Sequence, residues 1–332
     1  MRSQRLTPIS VPCQNPRMES PDRAETDLVL TPPLLRLGDK IRFVSPASPP
    51  DRDLILKQVE ILKEWGLNVD FGEHAFCKHD YLAGTDEERL ADFNAALRDP
   101  EVRAIFATRG GKGSYRIADR LDFEAVRRDP KFLVGFSDIT ILHLSLWMHC
   151  RQVGVHGALF VGDGEQEVSL ETSLSLRRVL MTSEDIVIRA RPEEPTVALT
   201  TEGTVTGRLI GGNLDMVATA AGWALPDLRG AILLLEAVNM YRGQVDRQLT
   251  MLRKAGHLNG LAGVAVGQFT RFEFDRRFSV IDILREHLDA LGVPVLGGLP
   301  LGHGHSPLNV PIGAAAILDA KAGTLTVRRG DA

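Results

Sequence analysis

The chain has 332 residues, of which 44% are hydrophobic and 25% charged, and its formal net charge is −4. This length corresponds to about two domains and is enough to bury a full hydrophobic core. The near balance of acidic and basic residues indicates no nucleic-acid or membrane partner, and no apolar run is long enough to cross a bilayer. Three scattered cysteines exclude a disulfide scaffold and a cysteine-based zinc site, and they favour a reducing compartment.

The N-terminal segment differs from the rest of the chain. It contains six of the 18 prolines and shows no sustained hydrophobic period of 2 or 3.6. Residues 1–34 are therefore predicted to form a disordered or loosely attached extension. No apolar segment follows the early arginines, so a secretory signal is not supported.

From Leu37 onwards, short apolar runs alternate with helical patterns, which predicts βαβ units and a parallel sheet covered on both faces. This N-terminal domain is expected over residues 35–160, with its loops after the strands along one sheet edge. Its predicted strands are Ile41–Val44, Leu67–Phe71, Val102–Ala107 and Phe132–Phe136, and its clearest predicted helices are Asp53–Trp65, Asp86–Leu97 and one beginning at Asp138.

The pattern weakens after residue 160, and residues 161–200 are interpreted as an interdomain connection. A C-terminal domain is predicted over residues 201–330. Its predicted strands are Ala231–Leu235, Leu261–Val266, Val293–Leu296, Ala314–Leu318 and Thr324–Val327, and its predicted helices are Asn213–Gly222, Gln244–Ala255 and Ser279–Leu291.

The glycine-rich segment from Arg109 to Ser114 follows a predicted strand and precedes a predicted helix. Its glycines could cradle a phosphate, as in a non-catalytic nucleotide-binding module. Alternatively, the turn could hold Ser114 with an exposed hydroxyl beside N–H groups that stabilise an oxyanion. The dinucleotide, Walker and hydrolase-elbow patterns all fail here, and Ser114 could simply cap a helix.

A nucleophilic serine needs a base, and the base needs an orienting acceptor. His303 and His305 lie in a loop after a predicted strand; they could bind a metal, but no carboxylate or cysteine lies in the same segment. Glu236 ends a buried apolar run and is predicted at the carboxyl edge of the sheet. Ser114, Glu236 and His303 thus all follow strands, and their order is compatible with a catalytic triad.

These residues resemble the LD-carboxypeptidase family of serine peptidases, which also includes the microcin C immunity peptidases. The matching segments cover about residues 37–328 in the family's order. They are Val44–Pro46 with Ser48, Tyr81–Arg89, Arg109–Ser114, Gly135–Thr140, His156–Gly157, Gly211–Leu214, Leu235–Glu236, Tyr241 with Asp246–Arg247, Gly302–His303 and Pro311–Gly313.

The resemblance implies an α/β fold with an N-terminal Rossmann-like or flavodoxin-like parallel-sheet domain and a smaller, swivelling C-terminal α/β domain. It implies Ser114 as nucleophile, His303 as base and Glu236 as the residue that orients His303. It also implies a homodimer that needs no metal or other cofactor and releases terminal D-alanine from murein tetrapeptides during cytoplasmic wall recycling. The expected oxyanion and substrate-binding residues are Tyr115, Gly111, Lys112 and Ser45.

Three positions depart from the family's usual residues: Lys112 replaces tyrosine, Ala237 replaces an acidic residue and Ala158 replaces proline. These positions border the motifs and bear on substrate choice. The alternative within the class is an immunity-type peptidase that hydrolyses a peptidyl-nucleotide or acyl-sulfamoyl toxin. It would need an aromatic stacking surface, for which Trp147 and Trp223 are candidates.

Overall fold

Two β-sheets, each flanked by helices, organise the protein. We describe it from a computed structural model that covers residues 28–159, 169–272 and 278–329. The residues before 28, part of the predicted connection and the last three residues lie outside this description. None of the helices in these ranges is long and apolar enough to span a membrane.

The first unit contains five parallel strands and four helices. The strands are β1 (Lys40–Val44), β2 (Asn68–Phe71), β3 (Val102–Ala107), β4 (Phe132–Gly135) and β5 (Gly154–His156). The helices are α1 (Arg52–Glu64), α2 (Asp86–Arg98), α3 (Phe123–Arg128) and α4 (Thr140–Cys150). The first four strands and the helices α1, α2 and α4 lie close to the predicted bounds, whereas β5 was not predicted.

The second unit contains eight strands and four helices within the described ranges. The strands are β6 (Ile186–Arg189), β7 (Thr204–Asn213), β8 (Ile232–Val238), β9 (Gly263–Thr270), β10 (Val295–Leu296), β11 (Val310–Ile312), β12 (Ala315–Asp319) and β13 (Thr324–Val327). The helices are α5 (Leu170–Met181), α6 (Leu214–Thr219), α7 (Arg242–Lys254) and α8 (Val280–Asp289).

Local sequence signals explain where several helices begin. The Asp51 carboxylate accepts hydrogen bonds from the first N–H groups of α1, and Thr85 and Glu88 form a reciprocal capping box at α2. Ser279 and Asp282 form the same arrangement at α8. The caps satisfy N–H groups that would otherwise lack partners at each helix start.

The first sheet has the order β11-β5-β4-β3-β1-β2, and the second has the order β10-β9-β8-β7-β12-β13-β6. Strands β1 to β5 run parallel, and β11 from the C-terminal half joins β5 in antiparallel fashion. In the second sheet β7 to β10 are parallel, whereas β12, β13 and β6 pair antiparallel. The predicted α/β fold with an N-terminal parallel sheet is therefore confirmed.

Two segments predicted as irregular contain paired backbone where the structure describes them. Leu30 forms a bridge with Gln152, so the described part of the predicted extension, residues 28–34, is attached to the first unit at Leu30; residues 1–27 lie outside the described residues. In the predicted connection, residues 161–168 are not described, and the following residues form α5 and β6. Strand β6 pairs with β13 and therefore belongs to the second sheet.

Candidate active site

A cleft of about 700 Å³ lies where the carboxyl ends of the parallel strands of both sheets meet. Loops after β3 and β4 form one wall, and the ends of β7, β8 and β9 form the other. Parallel sheets bind ligands at this edge because the connecting loops converge there. Its lining includes Gly110, Gly111, Lys112, Ser137, Asp138, Asn213, Asp215, Asn239, Arg271 and His303.

The structure brings Glu236 and His303 into direct contact across 67 residues of sequence. The His303 Nδ1–H donates a hydrogen bond of 2.7 Å to Glu236 Oε2. Glu236 is fully buried, whereas His303 keeps 14% of its side chain exposed on the cleft. Burial by itself raises the pKa of Glu236, but His303, His156 and Asn213 outweigh it and hold that pKa below its ordinary value. The pair is therefore an ionised carboxylate that orients an accessible imidazole.

Two local features of the backbone bring this pair together. The β8–β9 register shifts between Leu235 and Ala237, so Glu236 lies at an irregularity of the ladder. Gly302 has a φ of +124°, and a Cβ there would lie 2.7 Å from Glu236 Oε2. Only glycine allows the His303 loop to turn this closely over the carboxylate.

Ser114, the predicted nucleophile, lies outside the cleft lining. Its side chain is completely buried. Its hydroxyl donates to the Asp138 carbonyl at 2.6 Å and to Asp138 Oδ2 at 2.7 Å, and its N–H donates to the same carboxylate at 2.8 Å. The expectation of an exposed Ser114 hydroxyl is therefore wrong, because Asp138 covers and binds it. The structure does not bring Ser114 to His303 through a hydrogen bond.

Ser137, which was not selected from the sequence, is the serine that lines the cleft with His303. It follows β4 directly and has a φ of +62°, a left-handed conformation that is uncommon outside glycine. Strained residues of this kind concentrate at functional sites. The Phe136 ring just before it lies 4.6 Å from the His303 ring, between centroids.

A sequence signal for Ser137 was available. Gly135-Phe136-Ser137 keeps the first glycine of the hydrolase elbow pattern after a strand, although Ile139 replaces the second glycine. A Cβ on Gly135 would lie 2.7 Å from an Ile139 side-chain carbon, so glycine permits the sharp turn. The segment before Ser114 contains more glycines, so it is the stronger of the two local patterns.

The remaining predicted binding residues divide into two groups. Gly111 and Lys112 line the cleft. Tyr115 packs half-buried against the core, and the buried Ser45 hydroxyl bonds to the Ala75 carbonyl and to Thr108. Neither Tyr115 nor Ser45 is part of the described cleft lining, so their expected contact with substrate is not supported by their positions.

Three buried groups near the cleft have atoms without a hydrogen-bond partner among the described residues. They are Asp138 Oδ1, Glu236 Oε1 and both ring nitrogens of His156. Burial raises the pKa of Asp138 and lowers that of His156 to about 4. His156 is therefore uncharged at neutral pH. The histidine that bonds to Glu236 is His303.

Among the described residues, the cleft lacks the features that the alternative functions would need. Trp147 is buried in the core, and neither it nor the partly exposed Trp223 lines the cleft. The glycine-rich loop leads into a 3₁₀ turn of three residues, not into an α-helix whose amino end could hold phosphate. Within the described ranges, no three His, Cys, Asp or Glu side chains are grouped as a metal site.

Of the three departures from the family pattern, two lie on the cleft. Lys112 and Ala158 are lining residues, whereas Ala237 is buried in β8 next to Glu236. Lys112 forms an ion pair of 3.5 Å with Asp215 from the opposite wall.

Comparison with known proteins agrees with this fold. Residues 41–157 match the LD-carboxypeptidase N-terminal domain, and residues 206–318 match the LD-carboxypeptidase C-terminal domain. The chain belongs to the LD-carboxypeptidase family of serine peptidases, as its motifs predicted.

Particular relatives cover nearly the whole chain. It is 33% identical over 304 residues to a Bacillus subtilis protein named "Probable murein peptide carboxypeptidase", a match that spans 90% of this chain and 94% of the relative. It is 30% identical over 291 residues to the murein tetrapeptide carboxypeptidase of Pseudomonas aeruginosa, spanning 85% and 94%. Among solved structures, the microcin C7 self-immunity protein superposes with a TM-score of 0.80 at 25% identity, covering 91% of this chain and 99% of that one.

Proposed function

We propose that this protein is a serine carboxypeptidase that cleaves an L,D-peptide bond and releases terminal D-alanine from murein tetrapeptides. The observation that carries the proposal is the Glu236–His303 pair, which opens onto the same cleft as Ser137. Membership of the family supports the reaction class, and the names of the two sequence relatives support a murein peptide as substrate.

We infer that Ser137, and not Ser114, is the nucleophile. Ser137 is partly exposed on the cleft, whereas the Ser114 hydroxyl already donates into Asp138. The left-handed backbone of Ser137 is also typical of a nucleophile elbow. In this proposal Ser114 is a positioning residue, since it binds the carboxylate that immediately follows Ser137.

In the proposed reaction, His303 Nε2 accepts the proton of the Ser137 hydroxyl while Ser137 Oγ attacks the scissile carbonyl carbon. The carbon–nitrogen bond then breaks, and His303 returns the proton to the amine of the departing D-amino acid. Water, deprotonated by the same imidazole, hydrolyses the ester and restores Ser137. Glu236 holds the tautomer of His303 and stabilises the imidazolium in each step.

The oxyanion would be held by backbone N–H groups around the elbow. The N–H of Asp138 directly follows the nucleophile, which is the usual first donor of such a site. The second donor would come from the Gly110–Gly111 turn, which approaches the elbow closely: a Cβ on Gly110 would lie 2.8 Å from that of Ser137. This assignment replaces Tyr115 as the expected donor.

We further infer a cytoplasmic enzyme that works as a homodimer, as the family resemblance implies. Cys77 and Cys150, the two cysteines that the structure describes, are both free, which agrees with a reducing compartment.

The nucleophile is tested with two matched variants, Ser137→Ala and Ser114→Ala. We expect Ser137→Ala to lose both fluorophosphonate labelling and release of D-alanine, measured by mass spectrometry on a panel of muropeptides. Ser114→Ala should remain labelled and retain part of its turnover, because it loses only hydrogen bonds to Asp138. Labelling that is lost in Ser114→Ala and kept in Ser137→Ala would restore the original assignment.

A further inference from the structure

Lys112 and Asp215 form an ion pair that joins the two walls of the cleft. Lys112 belongs to the glycine-rich turn of the first unit, and Asp215 lies in the first turn of α6 in the second. Lys112 Nζ and Asp215 Oδ2 are 3.5 Å apart. Both residues line the cleft with Ser137 and His303, so the pair lies where substrate must enter.

The backbone of Lys112 is held in place, which leaves only its side chain to move. The Lys112 N–H donates a hydrogen bond of 3.1 Å to Ser48 Oγ. Gly111 has a φ of +107°, and a Cβ there would lie 2.4 Å from the same oxygen. The turn is therefore packed tightly against Ser48, and the lysine stem starts from a fixed point.

The ion pair itself is loose. The side chains of Lys112 and Asp215 are 59% and 34% exposed, and such pairs contribute little to stability. Asp215 Oδ1 also accepts a hydrogen bond of 2.5 Å from Gln248. Because Asp215 keeps this partner, Lys112 can leave it without stranding an unpartnered carboxylate.

We propose that Lys112 determines specificity by binding the terminal carboxylate of the substrate, and that Asp215 holds the ammonium in the free enzyme. The proposal rests on the carboxypeptidase function above. A terminal carboxylate lies one residue beyond the scissile carbonyl, so its cation must lie near the nucleophile. The Lys112 turn meets this requirement through Gly110, which packs against Ser137. An ammonium on a flexible stem can exchange one carboxylate for another.

The test compares a tetrapeptide ending in a free carboxylate with its carboxamide analogue. Lys112→Met should raise KM for the free acid about fivefold, equivalent to about 1 kcal/mol, with kcat little changed and the carboxamide unaffected. Lys112→Arg should retain the preference for the acid. Asp215→Asn should lower KM for the acid, because it frees Lys112, and the double variant should behave like Lys112→Met. Lys321→Met, in the β12–β13 turn, is the matched control for loss of a lysine.

Equal responses to acid and amide in Lys112→Met would overturn the proposal. Arg271 also lines the cleft. The proposal would equally be overturned if Arg271→Met lost the preference for the acid and Lys112→Met kept it. Failure of the proposed carboxypeptidase function would look different from failure of the Lys112 proposal, because the wild-type protein would then release no D-alanine from either peptide. In that case calorimetric binding of the two peptides to the wild type and to Lys112→Met still decides whether Lys112 recognises a carboxylate.

Discussion

His143 and His156 are both buried, and both have side chains that can ionise. The His143 ring bonds through Nε2 to the Gly135 carbonyl at 2.9 Å, directly behind the Ser137 turn. Burial lowers the pKa of each histidine to about 4, below the value of about 6.5 expected in an unfolded chain. The folded protein therefore depends on both rings remaining neutral.

This dependence predicts that the free energy of unfolding falls between pH 6.5 and pH 4. In that window the unfolded chain binds protons that the folded protein excludes, so stability is fully present above pH 6.5 and is lost as the pH falls. Each histidine should account for about 2 kcal/mol of loss at pH 5 relative to pH 7. Urea unfolding at the two pH values measures the difference.

The comparison that isolates this effect is His143→Gln against His79→Gln. His79 is exposed, so its replacement should leave the slope of stability against pH unchanged. His143→Gln should make the slope shallower, whatever its effect on stability at pH 7. Equal slopes in the two variants would contradict the assignment to buried histidines.

At the scale of elements, the orientation of Ser137 is set by the sharp change of direction between the end of β4 and the 3₁₀ turn Ser137–Ile139. All four residues of β4 are buried, so the strand cannot shift to relieve crowding. Gly135 is its last residue and faces Ile139 at a distance that excludes a methyl group. The geometry of the elbow thus depends on glycine, which has no side chain, at position 135.

Gly135→Ala should consequently impair activity by displacing the elbow, and it should cost about 1–3 kcal/mol through overpacking. The double variant Gly135→Ala/Ile139→Ala should regain turnover relative to Gly135→Ala, because the smaller side chain makes room for the methyl group. Gly243→Ala in α7 is the control, since a Cβ at Gly243 meets nothing within 4 Å. Wild-type turnover in Gly135→Ala would show that the close approach is unimportant.

At the scale of the whole molecule, the two units share structure across the cleft. Strand β11 leaves the C-terminal half to complete the first sheet beside β5. The Asn213 N–H at the end of β7 donates to Thr140 Oγ1 at the start of α4. One hydrophobic cluster also includes residues of both units, from Val44 in β1 to Val266 in β9. The proposed catalytic groups come from both units, so this shared packing holds the candidate site together.

We therefore expect both units to unfold in one cooperative transition. Two variants that retain a single tryptophan report on each unit separately: Trp65 lies just after α1, and Trp223 lies after α6. Their fluorescence midpoints in urea should coincide with each other and with the midpoint from circular dichroism. Separate midpoints would mean that the units unfold independently and that the shared strand and cluster contribute little.

The sequence by itself determined the parallel-sheet architecture and the position of Glu236, because alternating strands and helices require strand-end loops to converge. It also identified His303, through its motif, as the partner of that carboxylate. These signals are local or periodic, and packing did not override them.

Only the tertiary structure decided which serine faces the cleft. Both Ser114 and Ser137 follow a strand and nearby glycines, so the local sequence does not decide between them. The difference arises from Asp138, which lies 24 residues beyond Ser114 in sequence and binds its hydroxyl in the folded protein. Exposure of a side chain depends on which distant residues pack over it, and the ion pair between Lys112 and Asp215 across the cleft has the same long-range origin.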